Sequence, residues 1–158
     1  ADVSSISAKS YRVQSVTMTR ISFYILKSSE LDKRQAFACR LAEKAYHQGH
    51  QIYIHTACEQ EGQSMDTALW GIRPDSFVPH EVTDQSDNQS PVLIGYQDKK
   101  PPRLMDVMIN LTEEQPLFFS QFERVAEIID DNESSKQAGR QRFQFYKQRG
   151  YEIETFHV

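Results

Sequence analysis

Three places in the sequence hold residue types that do chemistry in other proteins. His47 and His50 stand three residues apart, a spacing that puts two imidazoles on one helix edge as metal ligands. No carboxylate stands at a ligand spacing beside them, and HExxH is absent. His80-Glu81 could act as an acid–base pair, although a lone histidine beside a glutamate in a loop is more often structural. Asp106 precedes the apolar run VMINL, as a carboxylate at a strand edge, but no lysine-bearing phosphate loop accompanies it. The glycines stand at 49, 62, 71, 95, 139 and 150, and no two are separated by a single residue. GxGxxG therefore cannot occur, and GK[ST] and GxSxG are absent as well. These absences lead us to expect no catalytic site, no cofactor and no metal.

The C-terminal region carries a different kind of chemistry. The chain is acidic, with a net charge of −4, yet residues 133–150 hold Lys136, Arg140, Arg142, Lys147 and Arg149 against Glu133 alone. At about 100° per residue, Lys136, Arg140, Phe143 and Lys147 share a stripe roughly 60° wide. Ala138, Phe145 and Tyr146 fall on the other side, which is expected to face the core, leaving Phe143 pointing outward among cations. Such a stripe can be no more than a solvated helix face. As a site, it would hold something acidic with an apolar end. Arginine grips carboxylates through two parallel hydrogen bonds, and an aromatic ring supplies an apolar wall. A peptide with acidic residues before a terminal aromatic fits. Stacking of single-stranded DNA on Phe143 is the competing use of this helix, and the overall negative charge argues against it.

A third feature is the stretch ALWGIRPDSFVPH at 68–80, which holds the single tryptophan, Trp70, with Phe77, Val78 and two prolines. Gly and Pro mark it as a surface loop, yet it is rich in apolar surface. The residues leave two readings open. The aromatic side chains pack beneath the loop, or they form a patch that a partner covers.

Elements to position these features are legible. ISFYIL (21–26) reads as a buried strand, Leu31–Gln48 as an amphipathic helix stopped by Gly49, and QIYIHTA (51–57) as a second strand, together a parallel βαβ unit. A helix over 59–71, strands at 91–97 and 107–111, a short helix near 116–122 and a strand over 124–130 follow. A helix over 133–150 and a strand over 151–157 complete the pattern. Residues 81–90 read as a polar connection. The fold class is α/β: a single Rossmann-like domain with a mainly parallel sheet flanked by helices and no nucleotide-binding loop. Residues 1–17 read as a flexible N-terminal extension or tag before a domain spanning 18–158. The composition, 39% hydrophobic and 25% charged, is that of a globular domain. Cys39 and Cys58 are expected to be reduced thiols, and no run is long and apolar enough for a membrane span.

In order and spacing, FYIL near the start, ALW followed by RPDSFVPH, and RQRFQFY before the Gly150 turn resemble the chi subunit of bacterial DNA polymerase III holoenzyme. The resemblance runs from about Thr19 to the C-terminus. It implies a cytoplasmic, non-catalytic replisome adaptor that pairs with the psi subunit of the clamp-loader complex. It also implies binding of the acidic C-terminal tail of single-stranded DNA-binding protein, with little or no direct DNA contact. By position, Trp70, Phe77, Val78 and Pro79 would face psi, a surface open also to a repair helicase. Arg140 would hold the tail, with Phe143 and Ile129 as apolar walls and Lys136 and Lys147 as supporting cations. Phe143 and Gln144 depart from the family's tyrosine and lysine, which implies a weaker grip on the tail. The alternative is an α/β nucleotide-binding enzyme with an unrecognised site.

Overall fold

The computed structural model describes residues 18–71, 78–83 and 88–158. Among the described residues, seven strands form one sheet in the order β3-β4-β2-β5-β6-β1-β7, and every described pairing is parallel. The strands are β1 (Arg20–Ile25), β2 (Ile52–Thr56), β3 (His80–Val82), β4 (Val92–Tyr96), β5 (Val107–Asn110), β6 (Arg124–Ile129) and β7 (Glu152–His157). The helices are α1 (Leu31–His47), α2 (Glu59–Trp70) and α3 (Glu133–Gln148), with a 3-10 turn at Phe119–Gln121.

The connections obey the handedness of parallel crossovers. From β1 the chain crosses through α1 to β2, and from β2 through α2 to β3, moving toward one edge of the sheet. From β6 it crosses through α3 to β7, moving toward the other edge, so α3 covers the opposite face. Period-two alternation divides each strand between two cores. Ile52, Ile54, Ala126 and Ile128 face the side of α1 and α2. Ile21, Phe23, Tyr53, Val125 and Ile129 face the side of α3, with Phe118, Phe119 and Phe122 from the segment after β5.

Two glycines stop their helices as the sequence indicates. Gly49 and Gly150 have φ of +90° and +80°, where a β-carbon is unfavourable. Beyond α1, the Gly49 and His50 amides donate to the Tyr46 and Ala45 carbonyls; beyond α3, those of Gly150 and Tyr151 donate to Lys147 and Tyr146. Both are Schellman closures. At the start of α3, the Asn132 side chain accepts from the Ser135 amide at 2.8 Å.

The structure corrects the expectation for 81–90: His80–Val82 forms an edge strand paired with β4. Three residues are too few for an alternation to show. Arg142, one of the cations counted over 133–150, is only 3% exposed. Its Nε lies 2.8 Å from Oε1 of Glu127, itself 0% exposed on β6. Tyr146 donates its hydroxyl to Glu127 Oε2 at 2.7 Å, and Asn110 Nδ2 donates to Oε1 at 3.0 Å. Arg142 also donates to the Glu113 carbonyl at 2.6 Å. Burial, reinforced by the neighbouring Glu127 charge, pushes the Tyr146 phenol far above its ordinary value. This satisfied network fixes the rotation of α3 on the sheet.

Candidate partner-binding surfaces

The buried side of α3 is set by Gly139, Arg142 and Tyr146. Gly139 rides directly over Ile129, since a β-carbon there would stand 2.8 Å from Ile129 Cδ1. Ile129 is therefore 3% exposed, and the expectation of an Ile129 wall open to a ligand is corrected: it is the floor on which α3 rests. Arg140 and Lys147 lie on the exposed side. Arg140 makes no ion pair among the described residues. Lys136 is held by Asp131 at 2.8 Å, and that hydrogen bond raises its pKa.

Phe143 does not project outward as the helical wheel suggests. It is half-buried, its ring centroid 5.6 Å from that of Phe23 on β1. The core side of α3 is centred on Gly139, Arg142 and Tyr146, which brings Phe143 to its edge. On the solvent side, Arg140 and Gln144 line a shallow groove with Phe145, Gln148 and Arg149. The Arg149 guanidinium stacks over the Phe145 ring, 3.7 Å from its centroid. The structure thus joins Arg140 to Gln144 in one groove whose aromatic lining is Phe145, while Phe143 packs toward Phe23 and is not among the lining residues.

Trp70 closes α2 and is 61% exposed. Its ring meets His80 edge-on at 4.9 Å. His80 is buried, with Nδ1 2.7 Å from the Val78 carbonyl and Nε2 3.3 Å from Asp66 Oδ1. Val78 is 0% exposed and belongs to the core between α2 and the sheet, so its placement on a partner-facing surface is corrected. Pro79 is half-buried, and Phe77 lies outside the described residues. Trp70 and α3 lie on opposite faces of the sheet and toward opposite edges.

The other chemical candidates have structural partners. His50 Nδ1 lies 3.3 Å from Asp106 Oδ2, which also accepts from the Gln51 amide at 3.1 Å. His47 Nε2 lies 3.8 Å from Glu43, four residues earlier on α1, so the expectation that no carboxylate stands at helical spacing beside the pair is corrected. Among the described residues no three His, Cys, Asp or Glu side chains converge to hold a metal, and no helix is long and apolar enough to cross a membrane. Cys39 is buried, and that burial pushes its thiol up to about 11.

The family model for "DNA polymerase III chi subunit, HolC" matches residues 18–154. The chain belongs to the DNA polymerase III chi subunit family. Chi-family relatives include the DNA polymerase III subunit chi of Pseudomonas aeruginosa, 40% identical over 137 residues, spanning 87% of this chain and 95% of the relative. Those of Haemophilus influenzae and Escherichia coli are each 28% identical, spanning 86% and 87% of this chain and 95% and 97% of the relatives. Among solved structures, that of T4 UvsW matches with a TM-score of 0.68 at 10% identity. It covers 90% of this chain and 42% of that one, a likeness of fold alone. Membership of the chi family makes this chain an accessory subunit of the replicative polymerase. The structural roles of two named residues are not legible in the sequence. Arg142 is indistinguishable from surface cations by type, and His80 becomes the seat of Trp70 only once β3 pairs with β4.

Proposed function

We propose that this chi-family chain is a non-catalytic cytoplasmic adaptor with two separate docking surfaces. One, at the C-terminal end of α2, takes the psi subunit. The other, on the outer side of α3, takes the acidic C-terminal tail of single-stranded DNA-binding protein. Chi would thereby tie the clamp-loader complex to the protein-coated template strand.

The observation that carries the reading is Arg140: an exposed arginine, without an ion pair among the described residues, beside Gln144 in an open groove. A guanidinium so placed can take a carboxylate in a forked pair with little desolvation cost. In this reading the acidic residues of the tail lie over Arg140, with Lys147 in support, and Lys136 joins only by releasing Asp131. The terminal aromatic rests on the half-exposed edge of Phe143. Trp70 serves the other partner: a large ring, mostly exposed and seated on a buried histidine, is the kind of side chain that anchors interfaces. Pro79 and Phe77 extend that surface in sequence, and a repair helicase is an alternative occupant in competition with psi.

The test is titration of the full chain with a tail peptide, beside the same peptide lacking its terminal aromatic. Binding to the intact peptide only, lost in Arg140→Ala and weakened in Phe143→Ala, is expected. Equal binding of both peptides reduces α3 to a nonspecific attractor of acid. A loss in Phe145→Ala without one in Phe143→Ala moves the apolar contact into the groove.

A further inference from the structure

The carboxyl edge of the sheet holds a crevice that neither docking surface uses. Neighbouring strands β2 and β5 send the chain to opposite faces, β2 into α2 and β5 into the aromatic segment that packs with α3. In open parallel sheets, ligands sit outside the strand ends at such a switch point. A crevice of about 920 Å³ opens there, walled by the ends of β2 and β4, the segment after β5 and the first turns of α1 and α2.

Its charge excludes the phosphate that this position often takes. Glu61, Asp98, Glu113 and Glu114 line it against the single cation Arg34, whose guanidinium donates to the Leu111 carbonyl. Asp98 and Glu114 are exposed at the rim and make no ion pair among the described residues. The wall holds a second and independent feature. His55 is 4% exposed, its ring stacked on Tyr53 at 6.2 Å and edge-on to Phe118 at 5.5 Å. Its Nδ1 is buried without a hydrogen-bond partner among the described residues, whereas buried polar atoms are nearly always paired. Desolvation, opposed by Asp98, lowers the His55 pKa to about 4, so the ring is neutral at pH 7 and does not repel a cation. At the rim, Gln97 holds a φ of +58°, a left-handed conformation uncommon outside glycine and enriched at ligand sites.

We infer that this crevice binds a cationic nitrogen group, an ammonium or guanidinium, which pairs with Asp98 and Glu114 and hydrogen-bonds the His55 ring. The same chemistry is carried by a lysine or arginine side chain of a protein partner and by a free polyamine. Solution NMR of the labelled full chain at low salt separates the sources, with N-acetyl-arginine amide in one titration and spermidine in another. The expected result is saturable shifts centred on Asp98, Glu114 and the His55 ring nitrogens. These weaken at least tenfold in Asp98→Asn/Glu114→Gln, whose two positions are exposed and leave the core intact, and stay unchanged in Arg140→Ala. Saturation by the arginine amide alone assigns a protein side chain, saturation by spermidine alone a polyamine, and saturation by both a site that reads charge only; each supports the site. Absence of a saturable shift at His55 with either cation overturns the inference. So does undiminished binding by the double variant.

Discussion

The two ends of this molecule solve opposite problems. At the end of α2, an apolar ring that could be buried is held out: Trp70 is mostly exposed, while His80, on which its ring sits, and Val78 are buried. On α3, a charge that could be exposed is held in: Arg142 is buried against Glu127, while Arg140, two residues earlier, stays in solvent. Residue type alone does not decide which side chain meets water. Position on the helix does, and on α3 the satisfied Glu127 network sets that position. The chain's own fold consumes one arginine and leaves the other in solvent.

The comparison can be broken from either end. The largest effect is expected from Arg142→Ala, which leaves Glu127 buried and unpaired. Removing one partner of such a pair costs about 3–5 kcal/mol, read as a lower urea midpoint, and both docking functions fall together with the fold. An Arg142 variant of native stability would return it to the surface cations. Acid should weaken the same side of the sheet. The unfolded His55 imidazole takes a proton near 6.5, while desolvation holds the folded one to about 4. The unfolded state therefore binds more protons in that window. Stability that is full above pH 6.5 is lost as pH falls toward 4, by up to about 3 kcal/mol. His55→Gln should flatten this slope in a pH series of thermal midpoints.

Trp70→Ala should cost psi affinity about 2 kcal/mol or more, as an interface anchor does, while changing the fold by less than about 1 kcal/mol. Arg140→Ala should cost about 2 kcal/mol in tail binding and nothing in psi binding. Both follow from calorimetric titration of each variant with each partner, and a crossed result, with either variant losing both, would dissolve the distinction between the surfaces. The smallest effect sharpens the picture: Gln144→Lys adds a cation to the Arg140 groove and should tighten the tail by about 0.2–1 kcal/mol, with a steeper salt dependence.

Much of this is legible in the sequence. Apolar runs and glycine stops placed β1, α1, β2 and α3 to within one or two residues, because buried parallel strands and Schellman ends leave strong local marks. β3 was not legible, since three residues pairing only with β4 carry no period. The exposure of the candidate residues is half legible. The cationic stripe located Arg140, and the tryptophan located the α2 end. The inward turn of Arg142 depends on Glu127, fifteen positions away on another element. The seat of Gly139 on Ile129 and the packing of Phe143 on Phe23 are likewise contacts between elements, which a helical wheel does not contain. Val78 was misplaced for a related reason: its apolar neighbours in sequence do not share its fate in space.

The central claim is that the two docking surfaces are independent, on opposite faces of one sheet. The measurement that tests it most directly is calorimetric titration of the tail peptide into the preformed psi complex. The account predicts the same affinity as for the chain alone, and the same loss in Arg140→Ala. A tenfold or greater weakening in the complex, or displacement of psi by the peptide, would contradict it and place both partners on one surface.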